Sequence, residues 1–156
     1  MIKINIKSVL GLFVLLPILL LGCGQQDTTA EQKIEKKVTH SKALEWKRWT
    51  PSVFEQAKEK KRLVLVDFSA EWCTYCKQMD QTTWRDPQVL AIIGENYIPV
   101  RVEDEVDTEL AEKYRSYGRP AIIVLNAEGK EIFKKTGYLK PQWMLWTLQG
   151  VLQDNS

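Results

Sequence analysis

The chain has 156 residues and a formal net charge of +2; 44% of its residues are hydrophobic, 27% are charged, and 8 are glycine. This composition can bury one core and excludes a collagen-like, low-complexity or wholly disordered chain. Without Lys3 and Lys7, which lie near the N-terminus, basic and acidic residues balance, so charge predicts no binding to nucleic acid.

The first predicted element is an export signal at residues 1–22. A short cationic start is followed by an uncharged apolar run over residues 8–22, which Pro17 interrupts once. This run is shorter than the roughly 20 apolar residues that cross a bilayer as a helix. A cleaved signal is therefore expected rather than a membrane span.

The end of this signal resembles the lipobox of bacterial lipoproteins in the residues Leu20, Leu21, Gly22 and Cys23. The resemblance implies that Cys23 receives a diacylglyceryl group and becomes the N-terminus, so that acyl chains hold the protein on the outer side of a bacterial membrane. The alternative is an ordinary signal followed by a free or buried Cys23 thiol. With Cys23 acylated, two cysteines remain to form a disulfide.

The next segment, residues 23–43, is predicted to be a flexible tether. It has no aromatic residue and no periodic apolar face, and a flexible chain of this length reaches roughly 25 Å. The only histidine, His40, lies here without further ligands nearby and is interpreted as a solvated linker residue. The folded domain is expected at residues 44–156.

Within that domain, helices are predicted to alternate with apolar strands. In chain order, they are a helix at 51–61, a strand at 63–68, helices at 77–83 and 88–93, a strand at 97–102, a helix at 108–114, a strand at 121–125, a hairpin turn at 126–130 leading to Ile132 and Phe133, and a helix at 141–152. In the last helix, Trp143 and Trp146 share the helical spacing of the leucines and are interpreted as core or rim aromatics. This order predicts an α/β sandwich.

The chemically informative motif is Cys73-Thr74-Tyr75-Cys76, which follows an apolar strand and begins a predicted helix. Unpaired backbone N–H groups and the helix dipole at this position favour the thiolate form of Cys73. The spacing places Cys76 one turn further along the same face. The second thiol can therefore attack a mixed disulfide formed by the first, as thiol–disulfide exchange requires.

Residues 66–77 resemble the active-site segment of the thioredoxin superfamily, and the resemblance continues to Arg119-Pro120-Ala121 and to Gly129 and Gly137. It covers about residues 46–152. Within the superfamily, residues 67–77 and 82–89 are most similar to the C-terminal periplasmic domains of the DsbD family, which reduce oxidised thiol proteins of the cell envelope. The resemblance implies a three-layer α/β/α sandwich around a mixed sheet of four to five strands.

The resemblance also implies roles for individual residues. Cys73 would be the attacking nucleophile and Cys76 the resolving thiol, the two forming the redox-active disulfide with no further cofactor and no metal. Asp67 would help to deprotonate Cys76, and a carboxylate in an apolar strand is costly unless it serves such a purpose. Arg101 is expected to approach Asp67. Pro120 would be the cis-proline that shapes the peptide-docking edge.

Partner proteins are expected to dock on Trp72, Thr74, Tyr75, Arg119 and Pro120. Trp72 is expected to pack beside the disulfide and shield it. The Thr74-Tyr75 pair departs from the Gly-Pro of thioredoxin and leaves the redox potential open. Arg119 stands where the superfamily more often has a small or branched residue, and we expect it to stabilise the Cys73 thiolate and to select partners with an acidic segment.

Together these features predict a membrane-anchored thiol–disulfide oxidoreductase of the bacterial envelope that faces the periplasm or the outside. It would reduce exported disulfide proteins with electrons from a DsbD-like membrane thiol donor. Oxidation or isomerisation remains open, as does a copper- or zinc-binding CxxC module. A purely structural disulfide is disfavoured because so small a loop removes little chain entropy. A monomer is expected.

Overall fold

The computed structural model describes residues 43–155, which form four strands and five α-helices. The strands are β1 (Leu63–Ser69), β2 (Tyr97–Glu103), β3 (Ala121–Leu125) and β4 (Glu131–Thr136). The helices are α1 (Pro51–Lys60), α2 (Thr74–Gln81), α3 (Pro87–Asn96), α4 (Thr108–Lys113) and α5 (Pro141–Asp154), with short 3-10 turns at Thr83–Arg85 and Arg115–Tyr117. The predicted signal at residues 1–22 and the tether up to residue 42, with Cys23 and His40, lie outside the described residues.

The strands form one mixed sheet in the order β2-β1-β3-β4. β1 and β2 are parallel, whereas β3 runs antiparallel to both β1 and β4. The β3–β4 connection is the predicted hairpin, and Gly129 takes a φ of 81° in its turn, a conformation that favours glycine. The expected mixed sheet of an α/β fold is thereby confirmed.

Helices cover both faces of the sheet. Side chains alternate between the two faces along each strand, so neighbouring residues of one strand belong to different cores. On β1, Val64, Val66 and Phe68 belong to a core with α1. Leu65 lies on the opposite face, in a core that includes residues of α2, α3 and α5. By the same alternation Asp67 lies on the α2 side. The sandwich thus has the three predicted layers.

Local sequence explains where several helices begin. Pro51, Pro87 and Pro141 occupy the first helical positions of α1, α3 and α5, where the missing N–H costs no intrahelical bond. Asp86 is the N-cap of α3, and its carboxylate accepts hydrogen bonds from the backbone N–H groups of Gln88 and Val89.

The packing of α5 differs from the sequence-based expectation. Met144, Leu148 and Val151 are the buried residues of this helix, whereas Trp143 and Trp146 are mostly exposed. Of the two expected positions for these tryptophans, core or rim, the core is excluded, because the residues between and after them supply the buried face. Within residues 43–155, no helix combines the length and hydropathy needed to cross a bilayer.

Candidate active site

The two cysteines of the CxxC motif lie where β1 gives way to α2, and they form a disulfide. Cys73 is the N-cap of α2, and its sulfur accepts a hydrogen bond from the backbone N–H of Cys76 at 3.1 Å. Both residues are buried. The helix N-terminus therefore directs a backbone donor at the Cys73 sulfur, which is the arrangement that favours a thiolate once the disulfide is reduced.

Exposed aromatic residues form a rim around this buried disulfide. Trp72 is 68% exposed and Tyr75 is 59% exposed, and Thr74 between the cysteines is exposed as well. The expectation that Trp72 packs closely beside the disulfide is not met, since most of its surface faces solvent. The Tyr75 ring stacks on Tyr138 with 6.2 Å between ring centroids. Large exposed aromatic surface beside a reactive group is typical of a protein-docking site.

Asp67 is a buried carboxylate in the central strand β1, only 2% exposed. Burial raises the pKa of Asp67 from 3.8 to about 6, because the charged form loses its hydration, while Arg101 acts in the opposite direction. The side chain can therefore both hold and release a proton near neutral pH.

Arg101 on β2 is the ion-pair partner of Asp67, as predicted. The two residues are paired in the sheet register, and Nε of Arg101 donates to Oδ2 of Asp67 at 3.0 Å. A terminal nitrogen of the same guanidinium lies 2.6 Å from Oδ1 of Asp80 on α2. The guanidinium also covers the Trp46 ring at 4.4 Å from its centroid.

This network links the buried carboxylate to the helix that carries the cysteines. Asp80 follows Cys76 by four residues, so both lie on one face of α2, and that face is turned towards β1. The negative charges of Asp80 and Glu103 add to the desolvation of Asp67 in raising its pKa, against the attraction of Arg101. Asp80 was not predicted, although its spacing from Cys76 was the signal that could have revealed it.

Pro120 is buried directly before β3, and the Arg119–Pro120 peptide bond is cis. Phe68 pairs with Ala121 in the sheet, so the proline lies at the end of β1 from which the chain continues to Cys73. The proline and the cysteines therefore share one end of the sheet, which is the placement required of a docking edge.

The Arg119 side chain is nearly fully buried and faces internal partners. Its Nε donates to Oδ1 of Asp104 at 2.7 Å, and its terminal nitrogens donate to the carbonyl oxygens of Gly118, Ala111 and Tyr114. In this arrangement Asp104 neutralises the guanidinium, which leaves no donor directed at a partner's acidic segment. The effect of Arg119 on the Cys73 thiolate stays a prediction, and Asp104 was not foreseen.

A groove of about 460 Å³ opens next to Trp72. Its lining residues come from the loop after β2, from α4 and from the loop before Pro120, and they include Trp72, Asp104, Ala111, Arg115, Gly118 and Arg119. The groove thus joins the aromatic rim to the cis-proline loop. Among residues 43–155 there is no group of three or more His, Cys, Asp or Glu side chains placed to hold a metal ion.

A disulfide across the start of a helix, with a buried carboxylate beneath that helix and a cis-proline at the same sheet end, defines the class of thioredoxin-like disulfide oxidoreductases. The comparison with known sequences agrees. This chain belongs to the thioredoxin-like domain family, whose model matches residues 50–152.

The chain is 35% identical over 74 residues to the thiol:disulfide interchange protein DsbD of Photorhabdus laumondii, an alignment that covers 46% of this chain and 13% of that protein. The chain thus spans a small part of the length of the curated relatives it matches. A thioredoxin from Thermus thermophilus has a similar structure, with a TM-score of 0.62, 27% identity, and coverage of 71% of this chain and 88% of its own. The oxidised C-terminal domain of DsbD from Neisseria meningitidis shares the fold, with a TM-score of 0.50, 24% identity, and coverage of 63% and 89%.

Proposed function

We propose that this protein reduces disulfide bonds of exported proteins while a lipid on Cys23 holds it at the outer side of a bacterial membrane. The observation that carries the proposal is the Cys73–Cys76 disulfide at the N-terminus of α2, with the buried Asp67 on the sheet face beneath. The identity to DsbD, a protein named for thiol:disulfide interchange, supports the same chemistry. The lipobox resemblance supports the anchor.

The reaction begins with the reduced protein and a partner that carries a disulfide. The partner docks on Trp72, Thr74, Tyr75 and the Pro120 loop. The Cys73 thiolate then attacks one partner sulfur, which forms a mixed disulfide and releases the other partner sulfur as a thiolate. Backbone donors at the start of α2 stabilise the Cys73 thiolate before the attack.

In the second step Cys76 attacks the Cys73 sulfur. This step forms the Cys73–Cys76 disulfide and releases the second partner sulfur, so two electrons have moved to the partner. Cys76 must lose its proton to attack, and Asp67 is the acceptor that the resemblance assigns. Because the pKa of Asp67 is about 6, this carboxylate is mostly ionised at neutral pH and can take up the proton.

The direction of electron flow is proposed on the basis of the compartment and the relatives. An exported thiol protein works in surroundings that are kept oxidising, so a reductase there requires a continuous electron source. A DsbD-like membrane thiol protein would supply those electrons by exchange with the Cys73–Cys76 disulfide. A protein that introduces disulfides would instead need an electron acceptor to reoxidise its cysteines.

Two measurements test this function. The equilibrium redox potential of the Cys73–Cys76 pair, set in glutathione or dithiothreitol buffers, should lie near the value of thioredoxin, about −270 mV. A value near that of the oxidant DsbA, about −120 mV, would instead show that the protein inserts disulfides.

The second measurement separates the roles of the cysteines. A Cys76→Ser variant should accumulate mixed disulfides with exported proteins in the intact cell, whereas the matched Cys73→Ser variant should trap none. Equal trapping by both variants would contradict the assignment of Cys73 as nucleophile. Mass spectrometry of the N-terminal peptide, with Cys23→Ser as control, tests the lipid anchor separately.

A further inference from the structure

The exposed side of α5 carries two neighbouring tryptophans. Trp143 is 59% exposed and Trp146 is 55% exposed, and their rings meet edge to face with centroids 5.5 Å apart. Neither side chain contributes to the buried face of the helix. Two adjacent exposed indoles are unusual on a surface that contacts only water. They indicate a surface that binds a membrane or another molecule.

Charge distinguishes this surface from an ordinary solvated helix face. Residues 141–153, nearly the whole of α5, contain no charged side chain. Two lysines lie on this side of the domain: Lys140 is the N-cap of α5, and Lys135 pairs with Ile122, whose side chain belongs to the core shared with α5. Lys134 lies on the opposite face of the sheet, over the Tyr117 ring. This end of the domain therefore combines indole rings with positive charge.

We propose that Trp143 and Trp146 insert into the headgroup region of an anionic phospholipid bilayer. Indole rings favour the membrane–water interface because they pair an apolar body with one N–H donor. Lysines beside them are attracted to anionic headgroups. The uncharged side of α5 can approach the bilayer without the cost of desolvating a charge.

This inference rests on the proposed anchor at Cys23. Residue 43 follows Cys23 by 20 positions, so that the intervening chain spans at most about 70 Å when extended. An anchored domain therefore always lies within reach of the membrane surface. Because the encounter is then intramolecular, two tryptophans and a few lysines suffice for a contact that would be weak in free solution.

The contact would also orient the redox site. Tyr138, three residues before α5 begins, stacks on Tyr75 in the aromatic rim. The start of α5 is thus adjacent to the rim of the disulfide. With Trp143 and Trp146 in the headgroup region, the disulfide would be held close to the bilayer, where a membrane thiol donor has its own cysteines.

Fluorescence quenching by brominated lipids tests the contact on the lipidated full chain. In vesicles of phosphatidylglycerol and phosphatidylcholine with bromine on the upper acyl carbons, tryptophan emission of the wild type should be quenched. The Trp143→Phe, Trp146→Phe double variant should lose most of this quenching. The matched control Trp72→Phe, which removes an indole from the rim that is 68% exposed, should keep it. Equal quenching of the double variant and the wild type would overturn the proposal.

A second experiment separates this inference from the anchor. The chain from residue 24 onward, which carries neither the apolar run nor the anchor, should bind phosphatidylglycerol vesicles weakly and pure phosphatidylcholine vesicles more weakly still. Trp143→Gln with Trp146→Gln should weaken binding to phosphatidylglycerol vesicles by at least about tenfold. If the wild-type protein floats with the vesicles but the brominated lipids do not quench its tryptophan emission, the anchor stands and the membrane contact is refuted. Trp143 and Trp146 would then face a protein partner.

Discussion

Replacing Asp67 by Asn should raise the stability of the protein relative to the wild type more at neutral pH than at acidic pH, although the substitution removes an ion pair. In the native protein the ionised carboxylate is buried, and burial raises its pKa from 3.8 to about 6. Between pH 3.8 and about pH 6, Asp67 holds a proton in the native state that it has released in the unfolded chain. The free energy of unfolding of the wild type therefore falls as the pH rises through this window.

The magnitude follows from the difference in pKa. At about 1.4 kcal/mol for each tenfold change in acidity, a rise from 3.8 to about 6 corresponds to about 3 kcal/mol. Asn has a similar shape and does not ionise, so the variant lacks this pH dependence. The stability difference, variant minus wild type, should therefore grow by about 3 kcal/mol between about pH 4 and pH 7.

Urea unfolding of the oxidised proteins, followed by tryptophan fluorescence at several pH values, measures this difference. Taking the difference between the two proteins at each pH removes the contributions of groups that do not interact with Asp67. Asp154→Asn is the matched control, because Asp154 is exposed at the end of α5 and the same chemical change there removes no buried carboxylate. A constant difference for Asp67→Asn, or one that shrinks as the pH rises, would refute the argument that desolvation dominates at Asp67.

Three further substitutions test other contacts. Arg101→Met removes the cation that lowers the pKa of Asp67, so the midpoint of the pH dependence of unfolding should move above 6; an unchanged midpoint would argue against the ion pair. Asp86→Ala removes the N-cap of α3 and should cost about 1 kcal/mol in thermal or urea unfolding. Thr83→Val breaks a buried hydrogen bond from Oγ1 to the carbonyl oxygen of Leu139, 2.6 Å long, and should lower the free energy of unfolding by about 1–3 kcal/mol. For the last two, an unfolding curve that matches the wild type would contradict the predicted loss.

Much of the sheet could be predicted because β1 and β3 are short apolar runs bounded by polar residues. The cysteine pair was identifiable for the same reason, since its position at a strand–helix junction depends on local pattern alone. The spacing from Cys76 could place Asp80 on the cysteine face of α2, but neither its pairing with Arg101 nor the pairing of Asp104 with Arg119 could be predicted. Such pairs depend on how elements distant in the chain pack against each other, which periodicity does not encode.

The exposure of Trp143 and Trp146 was missed for a related reason. The helix period places several apolar residues within reach of the core, but the core has room for only one stripe. Met144, Leu148 and Val151 fill that stripe, and their more compact side chains fit against α3. Which of two apolar stripes is buried is decided by tertiary packing, and the sequence pattern is the same in either case.

The segment before α1 also covers one edge of the sheet. Lys47 pairs with the outer edge of β2: its N–H donates to the carbonyl oxygen of Pro99, and its own carbonyl oxygen accepts from Arg101 N–H. Pro99 has no N–H of its own, so this edge presents few free donors to another strand. At the opposite edge, β4 carries the adjacent Lys134 and Lys135, whose charges repel a second copy. Both margins of the sheet thus disfavour strand-to-strand aggregation between copies of the protein.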